Sequence, residues 1–90
     1  MYIFEWDDNK NNENFKKHSI SFEEAQLAFC DVNRVVEKDV KHSTENETRY
    51  FLYGDTGQGI ATVRFVVRNY KIRIFGAGYW RQGRIKYEQR

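Results

Sequence analysis

Residues 49–75 constrain the fold most, because three successive stretches within them alternate with the period of two of a half-buried sheet. Ala61, Val63, Phe65 and Val67 alternate with Thr62, Arg64, Val66 and Arg68. Ile72 and Ile74 alternate with Lys71, Arg73 and Phe75, and Tyr50 and Leu52 with Arg49, Phe51 and Tyr53. One side of such a sheet is apolar, and the other offers Arg49, Arg64, Arg68, Lys71 and Arg73 to a shared surface. Gly54, Gly57 and Gly59 provide a flexible turn between the first two strands, and Asn69 a tight one between the second and third, because asparagine tolerates positive φ. An antiparallel meander is expected, with Gly76-Ala77-Gly78 breaking its last strand.

The flanking segments supply elements to cover the apolar side. Tyr2, Phe4 and Trp6 share a face if residues 2–6 are extended, which predicts a short strand. Asp7 or Asp8 can cap a helix over residues 8–18, which contain no proline or glycine. That helix is unusually polar, with Phe15 its only large apolar residue, and Lys10, Asn14, Lys17 and His18 fall along one face of it. Ser21 and Glu24 form a capping box for a second helix, whose Phe22, Ala25, Ala28 and Phe29 make a core-facing stripe. Residues 34–39 can form a further strand around Val35 and Val36. Residues 38–48 lack periodicity and read as a charged loop with a mobile tip, leaving His42 exposed. Residues 79–88 are expected as a short C-terminal helix, weakened at Gly83.

Ninety residues suffice for one domain, 1–90, in which the fifteen aromatics provide much of the packing. The expected class is a small α+β domain, an antiparallel sheet packed by two N-terminal helices and a short C-terminal one. Cys30 is the only cysteine, so no internal disulfide exists and a reducing cytoplasm fits. No apolar run approaches the ~20 residues that span a bilayer, so no membrane is expected. The histidines and the cysteine are too widely separated for a recognisable metal site, and the glycine-rich turn lacks the lysine of a phosphate-binding P-loop. No metal or cofactor is expected.

Charge divides the chain. Residues 1–47 hold six Lys or Arg against eleven Asp or Glu, a net of −5, whereas residues 48–90 hold nine against two, a net of +7. Such polarity points to a polyanion-binding face or an acidic partner, and equally to a solvated surface with a few extra arginines.

The run Phe4-Glu5-Trp6-Asp7, then Lys10, Asn14, Lys17-His18, Ile20, Phe22-Glu23-Glu24-Ala25, Phe29 and Asp31, together with Arg49, Gly54, Arg73-Ile74, Gly76-Ala77 and Tyr87-Glu88, resembles the BrnT family. These are the ribonuclease toxins of type II toxin–antitoxin pairs. The resemblance implies a RelE-like ribonuclease fold, a ribbon-helix-helix antitoxin (BrnA-like), and operator DNA reached only through the toxin–antitoxin complex. The sequence departs from the family where a Ser-Ala-Arg segment is usual, since Gly78 stands at the arginine position. Either Arg81, three residues on, replaces that arginine, or activity is weakened or altered.

Metal-free RNA cleavage needs a group to move the 2′-hydroxyl proton, cations to hold the phosphate, and an acid for the leaving oxygen. His18, which the resemblance marks out, is the candidate for proton transfer, with Arg49, Arg73 and Arg81 as the phosphate clamp. The competing role for His18 is a helix-end histidine satisfying carbonyls. Arg64, Arg68 and Lys71 suit backbone tracking, and Tyr79 and Trp80 can stack an unpaired base or serve the core or the antitoxin interface. Lys10 and Lys17 can line the site opposite the sheet or simply face solvent. A non-catalytic module binding nucleic acid or antitoxin, and a surface used only for assembly, are the rival functions.

Overall fold

The computed structural model describes residues 2–89; the outermost residues of the expected 1–90 domain lie outside that range. In chain order the elements are β1 (Phe4–Glu5), α1 (Asp8–His18), α2 (Phe22–Ala25) continued by a 3-10 turn (Gln26–Cys30), β2 (Val35–Lys38), β3 (Arg49–Asp55), β4 (Ile60–Arg68), β5 (Lys71–Gly78) and α3 (Arg81–Glu88). They form a small α+β domain around a five-stranded sheet of order β1-β5-β4-β3-β2. β2 to β5 are antiparallel neighbours, as the alternation predicts, but β1 runs parallel to β5. The sheet is therefore mixed, not purely antiparallel. A parallel pair requires a crossover, and the chain between β1 and β5 provides one through every other strand of the sheet.

The core lies on the apolar side of the alternation. Leu52, Val63, Phe65, Ile72, Ile74 and Ala77 meet Ile20, Phe22, Ala25, Ala28 and Phe29. The expected stripe of the second helix is thus buried throughout, although only its first turn is α-helical. Gly54 explains how this layer comes so close: a Cβ there would strike the carbonyl of Ala28.

The glycine-rich end of β5 does not break the strand. Arg64 pairs with Gly76 and Phe65 with Ile74, so Phe75 is an extra residue and the ladder resumes through Gly78. Without this bulge, strict alternation would put Gly76 in the core and turn Ala77 outward. With it, Ile72, Ile74 and Ala77 all point inward, while Phe75 and Gly76 stay on the cationic side.

α1 has no buried residue, and Phe15 is exposed. Asp7 caps it by accepting from the Lys10 amide at 3.0 Å. Asparagines then dock it. Asn14 Nδ2 donates to the carbonyls of Ile20 and Ala77 at 3.0 and 2.9 Å, and its Oδ1 accepts from the Ala77 amide at 3.2 Å. Asn11 Oδ1 accepts from the Phe22 amide at 2.8 Å. Polar contacts to backbone, rather than an apolar stripe, hold this polar helix in place.

α3 packs on the opposite side of the sheet from the core. Gly83 is buried there, and a Cβ added to it would collide with the Thr62 hydroxyl and lie 3.1 Å from Tyr53 Cδ1. Helix propensity alone favours Gly83→Ala by about 1 kcal/mol, whereas overpacking typically costs ~1–3 kcal/mol. Gly83→Ala is expected to lower the thermal midpoint by several degrees; a higher midpoint would show that α3 does not press on Thr62.

Candidate functional site

α3 covers only the end of the cationic face near Tyr53 and Thr62, which leaves the middle of that face open. Its outward row runs Glu5, Arg73, Val66, Arg49 across β1, β5, β4 and β3. The next row carries Gly76, Arg64 and Phe51. The bulged Phe75 stands between these rows, with the Arg49 guanidinium carbon 4.9 Å and that of Arg64 5.0 Å from its ring centroid. Such contacts draw two cations towards one ring and keep them near each other despite their like charge. The Arg64 side chain runs beside Gly76, where a Cβ would lie in ordinary contact with Arg64 Cδ at 3.4 Å. Arg64 Nε is buried and has no hydrogen-bond partner among the described residues.

His18 reaches the same place from the last residue of α1. It lines a cleft of about 270 Å³ together with Lys10, Glu13, Asn14, Lys17, Arg64, Phe75, Gly76 and Trp80. The polar face of α1 thus contributes Lys10, Lys17 and His18 to one wall, and β4 and β5 form the other. His18 meets the Trp80 indole edge-on, with ring centroids 5.1 Å apart. Trp80 also closes the cleft's end by lying over Gly78, where a Cβ would come within 2.7 Å of Trp80 Cη2. The indole therefore fills the space that a side chain at position 78 would use.

The other cations expected here are distributed differently. Arg73 shares the outward face but is half-buried and paired with Glu5 at 3.4 Å. Arg68 forms a two-pronged pair with Glu47, at 2.7 and 3.1 Å, which raises Arg68 and lowers Glu47 from their ordinary pKa values, mainly through those hydrogen bonds. Lys71 pairs in register with Arg68 at the far end of the hairpin, roughly 13 Å along the strand from Arg64 at about 3.3 Å per residue. Arg81 lines a separate cleft with Arg84, Gln58 and Gly59, which meets the His18 cleft only at Trp80. Tyr79 is tied into the fold: its hydroxyl donates to Glu24, and Thr56 Oγ1 lies 2.5 Å away. Burial, then the bond to Glu24, pushes the Tyr79 phenol up to about 12.

The loop after β2 is more ordered in its bonding than its sequence suggests. Asp39 is 6% exposed, and its Oδ2 lies 2.8 Å from His42 Nδ1 while its Oδ1 accepts from the His42 amide at 3.3 Å. Ser43 Oγ donates to the Asp39 carbonyl at 2.7 Å and accepts from the Arg49 amide at 2.9 Å. His42 is thus a held group at the border of the cationic face. Phe75 is visible in the sequence only as an outward alternating residue, and the Asp39-x-x-His42 spacing is the local signal for the Asp39–His42 pair.

A protein family described as the ribonuclease toxin, BrnT, of type II toxin–antitoxin systems matches residues 6–83. The chain belongs to the BrnT family. No curated protein matches it. Membership carries with it, at family level, a ribonuclease activity and a cognate antitoxin. The matched span includes every residue of the His18 cleft and ends inside α3. Within the matched span, Lys10, Lys17 and Arg64 line the His18 cleft, and Arg49 packs on the Phe75 ring that belongs to it. Among the described residues, no helix is long and apolar enough to cross a membrane.

Burial works to raise the Asp39 pKa, but the hydrogen bonds from His42 and the charges of His42 and Arg64 outweigh it and hold the carboxyl below its ordinary 3.8. A lowered folded-state value means that ionised Asp39 stabilises the fold at neutral pH and that this contribution drains away as acid protonates it. Asp39→Asn is expected to lower stability at pH 7, with the gap to the parent shrinking below about pH 4. A gap that stays constant with pH in denaturant titrations would contradict this.

Proposed function

We propose that this chain is an active endoribonuclease of RelE-like fold that cleaves RNA without a metal ion or other cofactor, in the cytoplasm, until a BrnA-like ribbon-helix-helix antitoxin neutralises it. Operator DNA is then met only through the antitoxin complex. The observation that carries this reading is a solvent-open cleft lined by His18, Arg64 and Phe75, with the Arg49 and Arg64 guanidinium groups both over the Phe75 ring.

Cleavage by the 2′-hydroxyl builds negative charge on the phosphate oxygens as the nucleophile adds. Arg49 and Arg64 offer that charge donors held in place by the Phe75 ring. His18 moves a proton, its ring placed by Trp80 and by the Asn14 anchor one turn back. Arg73 adds positive potential behind the clamp. Lys10 and Lys17 attract the flanking phosphates, and Arg68, Lys71 and Arg81 extend the cationic track beyond the cleft. Phe75 and Trp80 present ring surface on which an unpaired base can stack, which suits single-stranded RNA, whereas Tyr79 supports the turn beneath them.

One observation favours a second reading. Trp80 occupies the space over Gly78 where relatives are expected to carry an arginine, which is compatible with a module that binds RNA and has lost cleavage. Antitoxin-free protein, assayed in chelator with single-stranded RNA, separates the two. The enzyme reading expects cleavage, with His18→Ala reducing the rate by about 100-fold or more, and Arg49→Ala or Arg64→Ala by a similar factor, at unchanged melting temperature. Salt-sensitive RNA retention with no product would replace it with the binding reading.

A further inference from the structure

In-line cleavage at the 2′-hydroxyl needs two proton transfers, and His18 can fill only one of them at a time. The loop between β2 and β3 offers a second group. Asp39 is buried, ionised and bonded to His42 Nδ1, the other ring nitrogen has no hydrogen-bond partner among the described residues, and the His42 side chain is 46% exposed. A carboxylate at Nδ1 fixes the proton there and leaves Nε2 as the lone-pair acceptor, so the neutral ring is oriented as a base. It also stabilises the imidazolium once a proton has been taken, as an aspartate does behind a catalytic histidine.

The sheet sets the relation to the clamp. His18 shares its cleft with Phe75 and Gly76 of β5 and Arg64 of β4. The Asp39 amide donates to the Arg49 carbonyl of β3 at 2.7 Å from just beyond β2. In the order β5-β4-β3-β2, His18 therefore reaches the arginines from the β5 side, and the loop that carries His42 joins the sheet on the β3 side, at the Arg49 backbone. Arg64 and Asp39 are close enough for the guanidinium charge to act on the carboxyl. Ser43 bonds the same loop to the Arg49 backbone, so the loop and the clamp are one unit.

We infer that His42 is a second catalytic residue of this site, with Asp39 as its positioning residue; the inference rests on the ribonuclease reading above. His42 Nε2 takes the proton of the 2′-hydroxyl, the 2′-oxygen bonds to phosphorus, and the bond from phosphorus to the 5′-oxygen breaks. The 5′-oxygen receives its proton from the His18 imidazolium. The products are a 2′,3′-cyclic phosphate and a 5′-hydroxyl, and no water or other reactant is consumed. The charged groups that act on Asp39 are His42 from its own loop and Arg64 from β4, with Arg49 tied to the loop through its backbone.

His42→Asn is the discriminating variant, because its amide can still donate to Asp39 while the titrating nitrogen is gone. With the antitoxin-free full chain, chelator and a labelled single-stranded RNA, His42→Asn is expected to slow single-turnover cleavage about 100-fold or more. Its melting temperature and its affinity for a 2′-O-methyl analogue of the same RNA should match the parent. Added imidazole should restore part of the rate lost in His42→Ala, and the parent's product should end in a cyclic phosphate. Cleavage by His42→Asn at the parent rate, while Arg49→Ala is impaired, would overturn the role of His42 and leave the ribonuclease reading standing. Activity lost in His42→Ala but restored by asparagine would reduce the pair to a loop staple and overturn it likewise. A folded parent that makes no product would overturn both readings.

Discussion

The single extra residue at Phe75 is the constraint on which the cationic face depends. A strand that kept strict alternation could place Ile72 and Ile74 inward only by turning Gly76 into the core and Ala77 out of it. The bulge restores the phase one residue later, so the core receives Ala77 and the outer face receives a phenyl ring beside a glycine. That ring gives the two guanidinium groups something to pack against. Bulges commonly re-aim side chains next to active sites, and here the re-aimed group gathers Arg49 from one strand and Arg64 from its neighbour.

The rest of the molecule holds that face open on one side and bounded on the others. α3 presses on Thr62 and Tyr53 through Gly83. α1 lies along β5, fastened by Asn14 to both backbone groups of Ala77, so His18 is set by a strand directly beneath it rather than by a flexible hinge. On the far side the loop after β2 is bonded to Arg49 through Asp39 and Ser43. Helix, sheet and loop each contribute charged or titratable groups, and the helix and the loop are anchored to backbone amides and carbonyls of the sheet. A site with so few apolar contacts in its walls stays ordered because its hydrogen bonds run to main chain that the core already fixes.

Much of this was legible in the sequence wherever the signal was local. The period of two marked β3, β4 and β5 and assigned Arg49, Arg64 and Arg73 to one face; the caps at Asp7 and Ser21 marked both N-terminal helices; and the i, i+4, i+7, i+8 spacing put Lys10, Asn14, Lys17 and His18 on one side of α1. What escaped was set by partners distant in the chain. The bulge depends on β4 as much as on β5, so the glycines read as a strand break. The parallel pairing of β1 with β5 joins Glu5 to Arg73 across the whole fold. Arg68 looked like a free cation until its partner Glu47, on an apparently irregular loop, came alongside it. His42 looked solvated for the same reason: the polar run around it has no period, because its order comes from hydrogen bonds and not from an apolar stripe.

The central claim is that RNA lies across Phe75 between the two arginines, and amide chemical-shift mapping with a 2′-O-methyl single-stranded RNA addresses it directly. The largest perturbations are expected at Arg49, Arg64, Phe75, Gly76 and His18, extending to His42. Perturbations confined to Gln58, Gly59, Arg81 and Arg84, with Phe75 and its neighbours unmoved, would contradict the account.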